Sequence, residues 1–255
     1  MNHSPEMTVA IRAAKAAGAF LKQHFYDQKK VDEASQNDIK LELDKLSQQL
    51  ITEEILSAFP DHSVLGEEGY TGDRDSGNEW IVDPIDGTVN YFYTIPWFCV
   101  SIALRRRGEV VLGVIYDPMM DECWHVEKGG IPYMNGEPTQ CSRRERMAEA
   151  VVFVGHGKTD GSKEKGIERF AKIAGQVRKV RNNGSAALAL AYIACGRFDA
   201  YVESLISLWD IAAGKLLVEA AGGRVVLEPN QENPAEQFAI VAWNGHIPIQ
   251  EALSE

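Results

Sequence analysis

The stretch EWIVDPIDGTVNY, residues 79–91, places two aspartates at the end of an apolar run. In a regular strand Asp83 and Asp86 would point to opposite faces. Pro84 cannot donate a hydrogen bond to a neighbouring strand and its ring fixes φ, so we expect the chain to turn here and bring both carboxylates to one side. An ordinary aspartate-rich turn has the same composition, because Asp-Pro and Asp-Gly pairs are common in turns.

Two further acidic segments also follow short apolar runs. Glu67 and Glu68 lie between glycines in SVLGEEG, residues 63–69, and Asp210 ends SLWD, residues 207–210. Each has a simple alternative role, since Glu67 can be a solvated loop charge and an aspartate is a favoured helix N-cap. If the strand ends converge, four carboxylates share a small space and stay ionised only with cations among them.

The predicted ligands are all oxygens, which favours Mg²⁺ over Zn²⁺. Two or more Mg²⁺ ions held by carboxylates are a recurring device for phosphoester hydrolysis, because one lowers the pKa of the attacking water and another stabilises the leaving oxygen. The N–H groups of Gly87 and Thr88 can donate to phosphate oxygens. A phospho-aspartate mechanism with Asp83 or Asp86 as nucleophile stays open.

Other chemistries find little support in the sequence. GHGKTDG, residues 155–161, matches neither a P-loop nor a dinucleotide-binding loop, and we predict a flexible loop there. There is no G-x-S-x-G serine motif and no H-E-x-x-H zinc motif. A net charge of −11 argues against binding to a nucleic-acid backbone.

The composition favours a soluble, cytoplasmic protein. The four cysteines are far apart and form no C-x-x-C pair, which suits reduced thiols in a reducing compartment. No apolar run reaches the roughly 18 residues of a membrane span, and the first residues lack the layout of a signal peptide. We therefore expect no membrane association.

Hydrophobic spacing predicts layered α and β structure in a single domain, residues 1–255. The first half, about 1–145, contains an antiparallel hairpin at 98–118 and is predicted to be α+β. The second half, about 146–255, is predicted to be α/β. Its predicted strands lie at 150–154, 177–180, 200–202, 224–227 and 238–243, and its helices at 163–174, 185–195 and 210–221.

Two helices are predicted near the N-terminus. The first begins at Ser4 and Pro5, an N-cap and first-turn pair. The second runs from about Asp38 or Leu41 to Phe59. Its buried face is predicted to carry four leucines, namely Leu43, Leu46, Leu50 and Leu56.

GEEG (66–69), WIVDPIDGTVNY (80–91) and WDIAAGKLLVEAAGG (209–223), in this order, resemble the inositol monophosphatase family of Mg²⁺-dependent, lithium-sensitive phosphatases. The resemblance spans nearly the whole chain. It implies an αβαβα layered sandwich of the sugar-phosphatase type, usually a homodimer. It also implies hydrolysis of a small phosphate monoester by direct attack of water.

The resemblance further implies a set of metal ligands. Glu67, Asp83 and the carbonyl of Ile85 would hold the first Mg²⁺ ion. Asp83, Asp86 and Asp210 would hold the second, and Glu67 with water molecules would support a third.

Catalytic and substrate-binding roles follow from the same resemblance. Thr88, paired with Asp44, would orient and deprotonate the attacking water, with Glu67 also in the catalytic set. Without the resemblance, Asp44 would be interpreted as an ordinary surface charge on a helix. The implied substrate contacts are Asp86, Gly87, Thr88, Gly184, Ser185, Ala186 and Glu203.

The sequence departs from the family in one segment. The family pattern D-x-V-T-x-A-D corresponds to DIKLELD, residues 38–44, which lacks the threonine and the alanine. The family's upstream lysine corresponds to Glu33, and the candidates to replace it are Lys29, Lys30 and Lys40. A metal-binding scaffold with weakened catalysis is therefore an alternative of another class.

The sequence DGTVNY, residues 86–91, resembles the inositol type D-G-T-x-N-F more than the nucleotide type D-G-T-K-E-F. We rank hydrolysis of myo-inositol phosphate to myo-inositol and phosphate first. The alternatives within the fold are fructose 1,6-bisphosphate, 3′-phosphoadenosine 5′-phosphate and histidinol phosphate, since a fold alone does not fix a substrate.

Overall fold

A computed structural model describes residues 3–34 and 39–254 of the chain. Asp38, one of the two predicted starts of the second helix, lies outside the described residues. The helices are α1 (Pro5–Gln23), α2 (Glu42–Ala58), α3 (Thr88–Phe92), α4 (Asp160–Ala174), α5 (Ala186–Ala194), α6 (Leu208–Ala220) and α7 (Ile249–Ser254). The strands are β1 (Val31–Ala34), β2 (Ile39–Leu41), β3 (Ser63–Gly66), β4 (Gly69–Thr71), β5 (Asn78–Asp86), β6 (Cys99–Arg106), β7 (Glu109–Asp117), β8 (Glu122–Glu127), β9 (Tyr133–Met134), β10 (Glu137–Pro138), β11 (Val151–Val154), β12 (Lys179–Arg181), β13 (Ala200–Ser207), β14 (Arg224–Pro229) and β15 (Gln237–Trp243).

Two large sheets form the β layers. The first has the order β10-β9-β8-β7-β6-β5-β3-β4 and is antiparallel except where β3 pairs with β5. The second has the order β12-β11-β13-β15-β14, with β11 parallel to both of its neighbours. Strands β1 and β2 form a separate hairpin. The predicted hairpin at 98–118 is confirmed as β6 and β7.

Helices fill the three spaces around these sheets. Helices α1 and α2 pack on the outer face of the first sheet, α5 and α6 lie between the two sheets, and α4 and α7 cover the far face of the second sheet. The predicted αβαβα sandwich is therefore confirmed. The core around α5 and α6 takes side chains from both sheets, and the single domain stays a prediction.

Helix α1 begins as the sequence predicts. The Ser4 hydroxyl accepts a hydrogen bond from the Met7 N–H at 3.1 Å, and Pro5 occupies the first turn, where no N–H is needed. In the second half, α4 begins earlier than predicted, at Asp160. Thr159 is its N-cap, because the Thr159 hydroxyl accepts a hydrogen bond from the Ser162 N–H.

Helix α2 buries a partly polar face, which corrects the predicted leucine face. Leu46 and Leu50 are 41% and 39% exposed. The buried polar side chains satisfy loop backbone groups instead: Gln48 donates to the Gly69 carbonyl at 3.2 Å and accepts from the Glu68 N–H at 2.9 Å. The buried residues of the helix are Asp44, Ser47, Gln48, Ile51 and Ile55.

Strand β5 continues through Pro84, which corrects the turn predicted there. Its pairing with β6 is interrupted between Asp83 and Asp86, so a bulge accommodates the proline, which cannot donate to the ladder. The chain leaves the strand at Gly87, where φ is +101°. The bulge, and not a turn, is what brings the two aspartates to one side.

Within residues 3–34 and 39–254, every helix is too short or too polar to span a lipid bilayer.

We predict that Gly87→Ala costs more stability than Gly108→Ala. Both glycines have positive φ, so both substitutions strain the backbone by about 1–2 kcal/mol. A Cβ at Gly87 would also meet the Trp97 carbonyl oxygen at 3.0 Å and the Gly184 carbonyl oxygen at 3.3 Å, whereas nothing lies within 4 Å at Gly108. Crowding should add about 1–3 kcal/mol to the loss at Gly87. Urea unfolding measures the difference, and equal losses would contradict this view of the β5–α3 junction.

Candidate active site

A pocket of about 360 Å³ lies where the ends of β3, β5 and β13 meet the first turns of α5 and α6. Of the site residues named from the sequence, all but Asp44 line this pocket. The residues that do so are Glu67, Asp83, Ile85, Asp86, Gly87, Thr88, Gly184, Ser185, Ala186, Glu203 and Asp210.

Three carboxylates form a cluster in the pocket. Asp83, Asp86 and Asp210 each offer one oxygen, and these oxygens all lie within 4.8 Å of one another. Asp83 is 1% exposed and Asp86 is 6% exposed, while Asp210 is half-buried. Acidic side chains that lie this close together and are this shielded from solvent are unusual unless a cation accompanies them.

Helix α5 points its first N–H groups at Asp86. Asp86 Oδ2 accepts from the Ser185 hydroxyl at 2.5 Å and from the Ala187 N–H at 2.7 Å, and Oδ1 accepts from the Ala186 N–H at 3.3 Å. The Cys99 thiol lies 3.7 Å from the same carboxylate. A carboxylate at a helix N-terminus is stabilised by these N–H groups, so the start of α5 favours the ionised form of Asp86.

Asp210 lies in the first turn of α6, but it is not the N-cap. Ser207 is the N-cap, and Asp210 Oδ2 accepts from the Ser207 N–H at 3.0 Å. On β5, Asp83 Oδ1 accepts from the Ile85 N–H at 2.9 Å, across the bulge. Asp83 and Asp210 therefore each have one local hydrogen bond that fixes the direction of the carboxylate, whereas Asp86 is held by three hydrogen bonds from Ser185 and the start of α5.

Burial raises the pKa values of all three acids, and repulsion from neighbouring carboxylates raises those of Asp83 and Asp210 further. Burial, with the nearby charges of Glu67, Asp210 and Asp86, holds the pKa of Asp83 well above its ordinary value. Burial and the charge of Asp86 raise the pKa of Asp210 to about 8. Burial also raises the pKa of Asp86, against the hydrogen bonds from α5. A divalent cation would remove this penalty, and an all-oxygen donor set suits Mg²⁺.

Glu67 lines the same pocket but stands apart from the cluster of three. Its side chain is 15% exposed, and its Oε1 lies 3.7 Å from the Lys158 ammonium. Its N–H donates to the Val82 carbonyl at 3.2 Å, which fixes the backbone beside β5. The structure thus brings three of the four predicted acids together and sets the fourth on the adjoining wall.

Thr88 and Asp44 form a pair beside the cluster. Thr88 Oγ1 lies 3.2 Å from Asp44 Oδ1 and 2.9 Å from the Ile85 carbonyl, and Asp44 Oδ2 accepts from the Leu41 N–H at 2.7 Å. Asp44 is 3% exposed, so it is not a surface charge. Burial, with the charges of Glu67 and Glu68, raises the pKa of Asp44 to about 7.

The pocket is also lined by another buried acid, Glu203. Glu203 Oε1 accepts from the Gly157 N–H at 2.7 Å, and the Tyr201 hydroxyl donates to its other oxygen. Glu203 is 7% exposed, and burial raises its pKa to about 7. Ser185 is buried with its hydroxyl on Asp86, whereas Gly184 adopts φ +73° beside Asn90.

Sequence reasoning missed Lys158. Residues 155–159 line the pocket. Lys158 belongs to no sequence motif that would have predicted its place in the pocket wall. Among the described residues, Lys158 is the one lysine or arginine in the pocket wall.

Two of the three lysines proposed to replace the family lysine, Lys29 and Lys30, do not line this pocket. Lys29 donates to the Phe25 carbonyl, and Lys30 pairs with Glu42 at 3.3 Å. The side chain of Lys40 lies outside the described part of the chain. Glu33 is exposed on β1.

Comparisons with known proteins agree with this geometry. A family model described as the inositol monophosphatase family matches residues 2–254. An inositol-1-monophosphatase from Rhizobium meliloti is 35% identical over 251 residues, which cover 97% of this chain and 94% of that protein. A fructose-1,6-bisphosphatase/inositol-1-monophosphatase from Thermotoga maritima is 39% identical over 212 residues, which cover 82% of this chain and 79% of that protein.

The fold comparison gives the same result. The crystal structure of the extragenic suppressor protein suhB from Bartonella henselae superposes with a TM-score of 0.91 at 33% identity, covering 99% of each chain. The chain therefore belongs to the inositol monophosphatase family.

Proposed function

We propose that this protein is a Mg²⁺-dependent phosphatase that hydrolyses a myo-inositol monophosphate to myo-inositol and inorganic phosphate. The observation that carries the proposal is the cluster of Asp83, Asp86 and Asp210 beside the Thr88–Asp44 pair in one pocket. Membership of a metal-dependent family of phosphomonoester hydrolases supports it.

Two or three Mg²⁺ ions would be held by the carboxylates of Glu67, Asp83, Asp86 and Asp210 and by the carbonyl of Ile85. Bound there, they would lower the pKa of a water molecule and offset the charge that develops on the leaving oxygen. The protein's own contribution is to hold these oxygens in place through the bulge in β5 and the first turns of α5 and α6.

Thr88 and Asp44 would move the proton. Thr88 lines the pocket and Asp44 lies behind it, so a water molecule on the pocket side can pass a proton to Thr88 while Thr88 passes its own to Asp44. The water oxygen then bonds to phosphorus as the ester P–O bond breaks, and the departing inositol oxygen takes a proton from solvent. A carboxyl group with a pKa near 7 is well matched to accepting a proton at neutral pH.

Direct attack by water suits this pocket better than a phospho-aspartate. Both oxygens of Asp86 already accept hydrogen bonds from α5 and its cap, and one oxygen of Asp83 accepts from Ile85. Hydrogen bonds of this kind stabilise the carboxylate and lower its nucleophilicity.

The wall around Glu203 would bind the inositol ring. A carboxylate fixed by Gly157 and Tyr201 can accept hydrogen bonds from ring hydroxyls, and Gly87 and Gly184 leave room for the phosphate and the ring. Ser185 would position Asp86, since its hydroxyl points there. The name of the Thermotoga relative keeps fructose 1,6-bisphosphate as the second candidate substrate.

We further propose a cytoplasmic homodimer that is inhibited by lithium. The family resemblance supports the dimer and the inhibition. The four free cysteines, three of them buried, support a reducing compartment.

A phosphate-release assay with Mg²⁺ tests the function. The wild-type chain should turn over myo-inositol phosphates faster than fructose 1,6-bisphosphate, 3′-phosphoadenosine 5′-phosphate or histidinol phosphate. Asp86→Asn should lower kcat by at least about a hundredfold, because it removes charge from the proposed metal site without changing the shape of the side chain.

The matched control is Asp117→Asn, a buried aspartate whose Oδ1 accepts from the Met119 and Met120 N–H groups and which does not line the pocket. This variant should keep its turnover. Full activity of Asp86→Asn would contradict the metal site. If the wild type released phosphate from none of the esters, the scaffold alternative would be favoured. Turnover of 3′-phosphoadenosine 5′-phosphate alone would place the chain with nucleotide phosphatases.

Mg²⁺ should raise the melting temperature more at about pH 8 than at about pH 5. Raised carboxyl pKa values mean that the folded protein binds more protons than the unfolded chain, so metal-free stability falls as pH rises from the ordinary pKa of 3.8 to the value of about 8 at Asp210. Mg²⁺ binds the ionised form and restores the stability lost across that range.

Scanning calorimetry with EDTA or Mg²⁺ at both pH values measures the increase in melting temperature that Mg²⁺ causes. In Asp210→Asn this increase should differ less between the two pH values. Equal Mg²⁺ shifts at the two pH values would contradict the prediction.

A further inference from the structure

The segment 155–159 places one positively charged side chain, Lys158, in the wall of a strongly acidic pocket. Lys158 projects between Glu67, on the loop after β3, and Glu203, on β13. The backbone on both sides of Lys158 is anchored: the Gly157 N–H donates to Glu203 at 2.7 Å, and Thr159 caps α4. The backbone therefore fixes the place from which the Lys158 side chain reaches the pocket.

The charge of Lys158 acts on more than one acid. Its ammonium lies 3.7 Å from Glu67 Oε1, and its field lowers the pKa values of Asp210 and Glu203 against the larger effect of burial. Lys158 is 60% exposed along its side chain, whereas Glu67 is 15% exposed. A largely exposed cation thus partly offsets the negative charge of a more deeply buried site.

We infer that Lys158 is an internal counter-ion of this pocket, which pairs with Glu67 until a divalent cation displaces it. The inference rests on the proposed function, because it takes the acidic pocket to be the metal site. Glu67 is the one predicted carboxylate ligand outside the cluster of three, and its Oε1 lies 3.7 Å from the ammonium. Lysine and metal therefore compete for the same carboxylate, and each weakens the binding of the other.

Titration calorimetry of the metal-stripped full-length protein with Mn²⁺ alone tests the competition. Lys158→Met should bind Mn²⁺ about three- to tenfold more tightly than the wild type, through loss of an ion pair and of repulsion between cations. Lys158→Arg keeps the charge and should keep the wild-type affinity. The gain of Lys158→Met should shrink at high salt.

Lys165→Met is the matched control, since it removes the same charge from an exposed position on α4 that does not line the pocket. It should change the affinity by less than about twofold. Glu67→Gln completes a double-mutant cycle, and in that background Lys158→Met should lose most of its effect. Melting temperatures of all variants report whether each one is folded.

Unchanged or weaker Mn²⁺ binding by Lys158→Met would overturn the inference, as would an equal gain in Lys165→Met or a full gain in the Glu67→Gln background. Wild-type protein that binds no Mn²⁺ at all would overturn the proposed function, and the inference with it. Wild-type binding that Lys158→Met fails to tighten would overturn the inference alone.

Discussion

Burying three carboxylates side by side is unfavourable, and the surrounding structure is organised around that cost. Desolvation disfavours the ionised forms of Asp83, Asp86 and Asp210, and repulsion from neighbouring carboxylates adds to it at Asp83 and Asp210. Local hydrogen bonds from Ile85, from the first turn of α5 and from Ser207 offset part of this penalty. The rest is left for cations, so the way the chain folds creates a cluster of acids that could hold a metal ion.

The layered fold brings these acids together from distant parts of the chain. The bulge in β5 supplies Asp83 and Asp86, and α6, which lies between the two sheets, supplies Asp210. Helix α5, also in the middle layer, supplies the N–H groups that hold Asp86. Because the middle core draws on both sheets, the site forms only when both halves of the chain have packed together.

The sequence predicted the parts of the site that depend on local motifs, and the layered fold with them. It failed where tertiary contacts override local patterns. The leucine spacing of α2 suggested a buried face that the structure exposes at Leu46 and Leu50, because Gln48 is needed inside to satisfy loop backbone groups. Lys158 reaches Glu67 only through the packing of the two halves, so no local pattern could reveal it.

Anomalous diffraction from crystals grown with Mn²⁺ is the most direct test of the central claim. The expected result is an anomalous peak bounded by carboxylate oxygens of Asp83, Asp86 and Asp210. The contradicting result is the absence of any peak among these three carboxylates at a Mn²⁺ concentration that supports turnover.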